Sequence, residues 1–455
     1  MIQQIQYKIR LQQFLNSPFL SHQVINLDLY GILISDQDAS NLGSGLANCS
    51  NFSNLTLYFQ CDKIDAKLAS GLGSGLANCT NLSNLVLHIK CDKIDAEFAS
   101  GLGSGLANCT NLSNLTLHLI SNQVGDQVAS SLGLAIANCT NLSNLTLFLD
   151  QGEIGNKTAS GLGLALANCT NLSNLTLSLK LNQIGQIGLS GLGSALANCT
   201  NLQNLTLDLS DNQIGNGYHN PAYKCIIKIY EFLRILKQIC CKKKKRQIGA
   251  SSFGSVLANF TNLSNLQLVL YNNQINAANA LDLSSGLANC TNLSNLTLDL
   301  TDNLIGQIGA TGLASALANC TKLSNLTLKL NWSGIGDKGA SDLGSALANF
   351  TNLSNLTLEF RANNIGDQGT LCLVQALKNC TNLSILTLNL HENEIGDQSA
   401  LSLEFALANC TNLSNFTLKL RSIRQINKSD KLKVERKCLK QKRLVVFNMY
   451  YGYDW

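Results

Sequence analysis

Leucine alternates with polar residues in short runs that recur along nearly the whole chain. In "NLTLHLISNQ", Leu115, Leu117 and Leu119 alternate, which is the period of a strand with one buried face. The run returns every 30 residues, apart from one step of 61, and its first apolar residue falls at Leu55, Leu85, Leu115, Leu145, Leu175, Leu205, Leu266, Leu296, Leu326, Leu356, Leu386 and Phe416. An earlier copy, "VINLDL", is in the same phase, so the pattern predicts thirteen units.

A second periodicity follows each of these strand runs. Ala129, Leu132 and Ile136 are three and four residues apart, which predicts a short helix with one buried stripe. Asp126 precedes this stripe, where we expect the N-cap of the helix. Between strand and helix, the amide of Asn122 can bond the backbone of the loop.

A single unit of this length cannot bury the apolar faces of its own strand and helix, whereas stacked copies can. We therefore predict an α/β fold: a curved solenoid with a parallel β-sheet on the concave face and helices on the convex face. Residues 1–24 are assigned to an N-terminal cap, residues 25–425 to the repeat array, and residues 426–455 to a basic C-terminal cap or tail.

The unit resembles the leucine-rich repeat, in particular its ribonuclease-inhibitor-like class, which has a helix in every unit. The resemblance lies in Leu117-x-Leu119-x-x-Asn122-x-Val124 and in the "IGDQG" that begins at Ile365. It implies a horseshoe-shaped solenoid that binds a protein. The near-identical copies are also similar to long arrays from single-celled eukaryotes, some of which accompany kinase domains. Other residues replace the asparagine in some units, whose loops we expect to be less regular: Asp62, Asp92, Gly152, Ser333 and Ile423.

Residues 216–246 interrupt the array and hold nine lysines or arginines but one glutamate. Removing these 31 residues restores the 30-residue spacing, so they form an insertion in one loop. Their apolar residues have helical spacing, and a basic amphipathic helix can bind an anionic membrane surface or a calmodulin-like partner. Their richness in Lys, Ile, Tyr, Asn and Phe is equally typical of a retained intron from AT-rich DNA. Both interpretations stay open at this stage.

The net charge of +5 is unevenly distributed along the chain. Outside residues 216–246 and 424–443 there are 15 basic and 25 acidic residues, so the array itself is acidic. The basic tail has no interleaved aromatic residue before Phe447, which disfavours nucleic-acid binding. Neither a signal peptide nor a transmembrane segment is apparent, so we expect a cytoplasmic protein, with the nucleus as the alternative.

Ten cysteines share one position in the repeat, from Cys49 to Cys410, and Phe260 and Phe350 take that same position. Because phenylalanine can neither ligate a metal nor form a disulfide, we expect these cysteines to pack in the core. A metal site at His88 and His118 is conceivable, but no carboxylate at the same phase lies nearby, and we interpret them as surface residues. We expect neither a metal nor a cofactor, and no small-molecule substrate.

The exposed strand positions vary although almost everything else in the unit is copied. A repeat with a fixed core and one diversified exposed column is typical of a recognition surface; unselected drift at these positions is the alternative. The predicted partner-binding residues are Tyr58, His88, His118, Phe148, Asp208, Tyr271, Asp299, Lys329, Trp332, Glu359 and Arg361.

We therefore expect a non-enzymatic scaffold that binds a protein partner. Two alternatives are a regulatory scaffold tethered through its basic segments, and a GTPase-activating or kinase-associated leucine-rich-repeat protein.

Overall fold

A computed structural model describes most of the repeat array. The described residues are 24–29, 36–47, 52–63, 66–94, 96–120, 125–215, 254, 257–258, 260, 262–396, 410, 412–420 and 446–450. The N-terminal residues 1–23, the insertion 216–246 and the basic residues 426–445 fall outside them, so the interpretations of these segments stay predictions.

A single sheet of fourteen parallel strands runs through the described part of the chain, with the strands in sequence order. The strands are β1 (Val24–Leu29), β2 (Asn54–Lys63), β3 (Asn84–Lys93), β4 (Asn114–Ile120), β5 (Asn144–Phe148), β6 (Asn174–Ser178), β7 (Asn204–Asp208), β8 (Asn265–Val269), β9 (Asn295–Asp299), β10 (Asn325–Lys329), β11 (Asn355–Glu359), β12 (Ile385–Asn389), β13 (Asn415–Lys419) and β14 (Val446–Tyr450). Equivalent residues of neighbouring units pair, as Leu117 does with Leu147. The predicted α/β solenoid with a parallel sheet is confirmed.

Helices connect successive strands on one side of the sheet. Those bounded by described residues are α1 (Asp36–Ala47), α2 (Ala66–Ala77), α3 (Ala96–Leu106), α4 (Gly125–Ala137), α5 (Asn156–Leu166), α6 (Gln186–Leu196), α7 (Ala277–Leu287), α8 (Gly306–Leu317), α9 (Gly336–Leu347) and α10 (Asp367–Leu377). In α4 the predicted stripe Ala129, Leu132 and Ile136 is fully buried. The core therefore lies between the sheet and the row of helices, and each unit shares it with its neighbours.

The asparagine after the third strand leucine closes the turn between strand and helix. The Asn303 side-chain amide donates to the Leu270 carbonyl of the preceding unit at 2.9 Å. Its Oδ1 accepts from the N–H groups of Asn273 and Ile275 at 3.1 and 2.9 Å. The amide also donates to the Leu300 carbonyl of its own unit at 3.0 Å. One buried side chain thus satisfies backbone groups of two units, which explains its place in the repeat.

The loops that lack this asparagine differ in how they replace it. In the Ser333 unit the hydroxyl donates to the Leu300 carbonyl at 3.1 Å, the same bond that an asparagine makes elsewhere. In the units of Asp62 and Asp92 the strands continue instead, to Lys63 and Lys93, and pair with each other along this extension. The expectation of a less regular loop is therefore wrong for Ser333, and the aspartate units differ from the others by longer, regularly paired strands. Ile423 lies outside the described residues.

Asp126 does not occupy the N-cap of its own helix, because α4 already begins at Gly125. Its carboxylate accepts instead from the N–H of Gly155, the N-cap residue of the following helix, at 2.9 Å. Asp337 makes the equivalent bond to Gly366 at 2.7 Å. A first-turn carboxylate therefore caps the next unit's helix rather than its own, and this ties neighbouring units together.

Nine of the ten aligned cysteines lie in described residues, and all nine are buried. The Cys139 thiol lies 3.6 Å from the carbonyl oxygens of both Leu106 and Ala135. Burial raises its pKa to about 12, so the thiol stays protonated and packs as a small apolar group.

The strands on either side of the insertion are direct neighbours. Strand β7 pairs with β8 in register, with Leu205 opposite Leu266. Beyond the strands, Asp211 N–H donates to the Tyr271 carbonyl and Gly215 N–H to the Asn273 carbonyl, at 2.9 and 2.7 Å. The ladder is thus continuous up to the residue that precedes residues 216–246.

Candidate functional site

The exposed face of the sheet carries three parallel columns of side chains. Their positions alternate with the buried leucines along each strand. Strands lie about 4.8 Å apart, whereas helices are about 10 Å wide, so the sheet side of the stack is the shorter, concave side. All three columns therefore line the concave face.

The first column is an asparagine ladder at the strand starts. Each amide nitrogen donates to the side-chain oxygen of the preceding unit, as Asn114 does to Asn84. The ladder consists of Asn54, Asn84, Asn114, Asn144, Asn174, Asn204, Asn265, Asn295, Asn325 and Asn355. Ile385 replaces the asparagine in the next unit. The polar groups of this column are engaged with one another, and the second column, mostly threonine, is nearly constant.

The third column varies from unit to unit, and we call it the variable column. Strand register aligns its members as Tyr58, His88, His118, Phe148, Ser178, Asp208, Val269, Asp299, Lys329, Glu359, Asn389 and Lys419. Eight of the eleven predicted binding residues belong to this column. Tyr271 and Arg361 stand two residues beyond it, on the same face.

In the N-terminal half of the variable column, after Asp28, which pairs with Tyr58, four rings form a stack. Tyr58, His88, His118 and Phe148 make up this stack, which we call the ring ladder. Successive ring centroids are 5.4, 4.3 and 4.7 Å apart. The His88–His118 contact is edge to face, and the other two are tilted, which are favourable geometries for aromatic pairs.

Burial lowers the pKa of both ladder histidines below the usual value. For His118, proximity to His88 lowers the pKa further, and Asp150 partly offsets this. Both imidazoles are therefore neutral at pH 7, and the ring ladder presents an uncharged aromatic surface.

The C-terminal end of the variable column is charged. We use the name charged column for Asp299, Lys329, Glu359 and Asn389. The Lys329 ammonium lies 3.3 Å from the Asp299 carboxylate, and the Asn389 amide donates to Glu359. Neighbouring members thus pair with each other, and the exposed Lys329 has 40% of its side chain in solvent.

A fourth column lies in the turn that follows eight of the strands, and its residues also vary. Its backbone is left-handed, with φ between 51° and 59°, at Gln151, Leu181, Asp211, Asn272, Asp302, Trp332, Ala362 and Glu392, and we call these residues the turn column. The next unit holds this backbone, since Asp302 N–H donates to the Asn331 carbonyl at 2.8 Å and Trp332 N–H to the Arg361 carbonyl at 2.9 Å. Because backbone bonds fix the conformation, the side chain is free to vary.

Trp332 and Arg361 form a cluster with Glu392 of the turn column. The Arg361 guanidinium lies 4.8 Å from the Trp332 ring centroid, a cation–π distance. Glu392 holds that guanidinium through two bonds of 3.1 and 2.7 Å. Trp332 remains 44% exposed, so a rigid aromatic side chain stands at the rim of the concave face.

Aspartates surround Tyr271 in the middle of the concave face. We call Asp211, Asp299 and Asp302, together with Tyr271, the acidic patch. Partial burial and these three carboxylates raise the pKa of the Tyr271 phenol, and partial burial together with Asp211 raises that of Asp302. Asp211, Asp302 and Glu392 were not among the sequence-predicted site residues; the variability of the turn position is the signal that would have found them.

The described residues include no group of three or more His, Cys, Asp or Glu side chains arranged to hold a metal ion. None of the helices in the described ranges combines the length and the apolar character that a membrane crossing requires.

A stack of strand–turn–helix units with the buried turn asparagine is the architecture of a leucine-rich-repeat solenoid. No protein-family model matches the chain, and no curated protein is significantly similar to it. Solved structures with similar architecture include a leucine-rich-repeat protein of Leptospira interrogans, 15% identical over 96% of this chain and 99% of that one, with a TM-score of 0.49. An internalin (inlF) of Listeria monocytogenes is 21% identical over 84% of this chain and 88% of its own, with a TM-score of 0.47.

Proposed function

We propose that this chain is a non-enzymatic scaffold of the ribonuclease-inhibitor-like class that binds a protein partner through its concave face, in the cytoplasm. The observation that carries the proposal is the contrast between columns. The asparagine ladder and the threonine column repeat almost unchanged, while the variable and turn columns change chemistry from unit to unit on the same backbone.

Side chains typical of binding anchors support a protein as the partner. Tyrosine, tryptophan and arginine contribute most to protein–protein binding energy. Here Tyr58, Tyr271 and Trp332 lie along one face, and Arg361 is held rigidly by Glu392. Rings that already contact each other lose little conformational entropy on binding, which favours affinity.

The histidines of the ring ladder support a binding role rather than a catalytic one. His88 and His118 contact each other and the rings of Tyr58 and Phe148. A general base needs a proton donor or nucleophile within hydrogen-bond reach, whereas these imidazoles are packed between apolar ring faces and edges. The tethered alternative depends on basic segments outside the described ranges. The GTPase-activating alternative depends on an arginine site that no observation on the described residues favours.

The test is capture of partners from cells that express the protein, with the full chain as bait. Tyr58→Ala with Phe148→Ala removes both ends of the ring ladder. The matched control, Leu134→Ala with Leu164→Ala, removes apolar side chains that are 72% and 67% exposed on helices α4 and α5. We expect partners retained by the parent chain and the helix variant to be lost from the ring-ladder variant. Equal retention by both variants contradicts the proposal.

A further inference from the structure

The acidic patch has carboxylates whose charge the described residues do not neutralise. Asp299 pairs with Lys329 at 3.3 Å, and Asp211 accepts a bond from the uncharged Asn272 amide at 2.9 Å. Within the described ranges, no lysine or arginine forms an ion pair with Asp211 or Asp302. Partial burial, and after it the charge of Asp211, raise the pKa of Asp302. The patch therefore carries excess negative charge beside an exposed ring.

Thr301 provides a second, independent observation. Its side chain is 5% exposed, and its hydroxyl has no hydrogen-bond partner among the described residues. In the equivalent position Ser210 donates to Asp208 at 2.5 Å, but the Asp299 carboxylate is engaged with Lys329 and with the Thr301 N–H. Strand alternation puts Thr301 on the same face as Asp299. A buried hydroxyl without a partner among the described residues fits a donor supplied by a bound partner.

We infer that the acidic patch is a docking site for a lysine- or arginine-bearing segment of a protein partner. A cationic side chain over the Tyr271 ring gains a cation–π contact and a charge-assisted bond to one of the two carboxylates, Asp211 or Asp302. Its N–H groups can also donate to the Thr301 hydroxyl. The inference rests on the proposed function and adds the chemistry of the partner.

The spacing of the units defines the segment further. Asp211 and Asp302 belong to turns two units apart, which corresponds to about 10 Å. An extended peptide advances about 3.3 Å per residue, so two cations three residues apart match the two carboxylates. The segment that fits the patch therefore has the pattern basic-x-x-basic and lies across the strands.

The test measures binding of the full chain to a fluorescent peptide with lysine at every third residue and serine between. Asp211→Asn with Asp302→Asn keeps the side-chain shapes and removes both charges, and we expect affinity to fall at least about tenfold. The control, Glu97→Gln with Glu153→Gln, removes the same charge from exposed positions elsewhere and is expected to change affinity by less than about twofold. An equal effect of both variants indicates non-specific attraction and overturns the inference.

Two further variants separate binding from folding. Tyr271→Leu keeps an apolar side chain and removes the ring face, and Thr301→Val removes only the hydroxyl. We expect each to weaken peptide binding several-fold without lowering the unfolding midpoint. Parent-like peptide affinity in both variants contradicts the site, because neither the ring nor the hydroxyl then contributes.

The chain's own insertion is the competing occupant, and carbodiimide cross-linking of the full chain, first without and then with the peptide, distinguishes it. Links from Asp211 or Asp302 to lysines of residues 216–246 overturn the inference of an outside partner. Links that form to the added peptide instead support it. Failure of this inference leaves the capture test with the ring-ladder variants unaffected, since those residues lie in other units.

Discussion

The ring ladder and the charged column occupy the same column of the same sheet, yet they present opposite chemistry. At one end four uncharged rings contact each other edge to face or tilted. At the other end carboxylate, ammonium and amide groups form pairs. The strands beneath have the same register, buried leucines and asparagine ladder. The comparison teaches that this fold separates the residues that make it stable from those that determine what it can bind.

Core substitutions are expected to have the largest effect and to affect both ends equally. Leu117 lies beneath the ring ladder and Leu328 beneath the charged column, and each is at most 1% exposed. Leu117→Ala and Leu328→Ala should each lower the free energy of unfolding by about 2–5 kcal/mol, through lost burial and the cavity left behind. Denaturant unfolding followed by circular dichroism measures this. A lower free energy of unfolding in only one of the two variants would contradict an equivalent core at both ends.

Removing a turn asparagine is expected to have the next largest effect. Asn303→Ala leaves buried backbone groups of Leu270 and Ile275 without partners, which should cost about 2–4 kcal/mol. Asn303→Ser is the matched control, because Ser333 makes the carbonyl bond naturally at the equivalent place. We expect its loss to be roughly half as large in the same unfolding experiment; identical losses would contradict the role assigned to the carbonyl bond.

Acid is expected to weaken the ring ladder more than the charged column. Because the pKa values of His88 and His118 are lowered in the folded chain, the unfolded chain binds protons first as pH falls below about 6.5. Folding stability should therefore decline from pH 7 to pH 5, by much less than a core substitution costs. His88→Gln with His118→Gln should reduce this decline, and an NMR titration of the imidazoles should show both pKa values below the usual one. If the folding stability of the double variant kept the same pH dependence, the lowered pKa values of His88 and His118 would not be its cause.

Breaking the ion pair of the charged column is expected to have the smallest effect. Lys329→Met keeps most of the side chain's length and removes its partner charge from Asp299. The pair is partly exposed, so we expect a change in unfolding free energy below about 1 kcal/mol that shrinks further in high salt. A larger, salt-independent loss would mean that the variable column stabilises the fold, against the separation inferred above.

The repeating elements could be predicted from sequence because one physical cause recurs in every unit. Alternating apolar residues share one face only in a strand, as Leu115, Leu117 and Leu119 do. Residues three and four apart share one face only in a helix, as Ala129, Leu132 and Ile136 do. Phe350 in a cysteine position likewise indicated core packing, and it is 1% exposed. The alignment of the variable column followed from the constant repeat length, so its members could be named before their geometry was known.

Interactions between units could not be predicted in the same way. The sequence predicts that Asp126 caps its own helix, but its carboxylate accepts from the N–H of Gly155 in the next unit. This bond depends on how the helices stack, which the sequence of one unit does not specify. Glu392 is 31 residues from Arg361 and fixes it only because both units turn in the same left-handed conformation. The acidic patch depends on the direct pairing of β7 and β8 across the insertion, which brings Asp211 beside Asn272.

Photo-cross-linking within one unit tests the recognition surface most directly. A benzoylphenylalanine in place of Phe148, in the ring ladder, is compared with one in place of Leu164, which is exposed on helix α5 of the same unit. Both full-length variants are irradiated in cells that express the protein. The account predicts a discrete cross-linked partner from position 148 and none from position 164. The reverse result, or the same adducts from both positions, would contradict binding through the concave face.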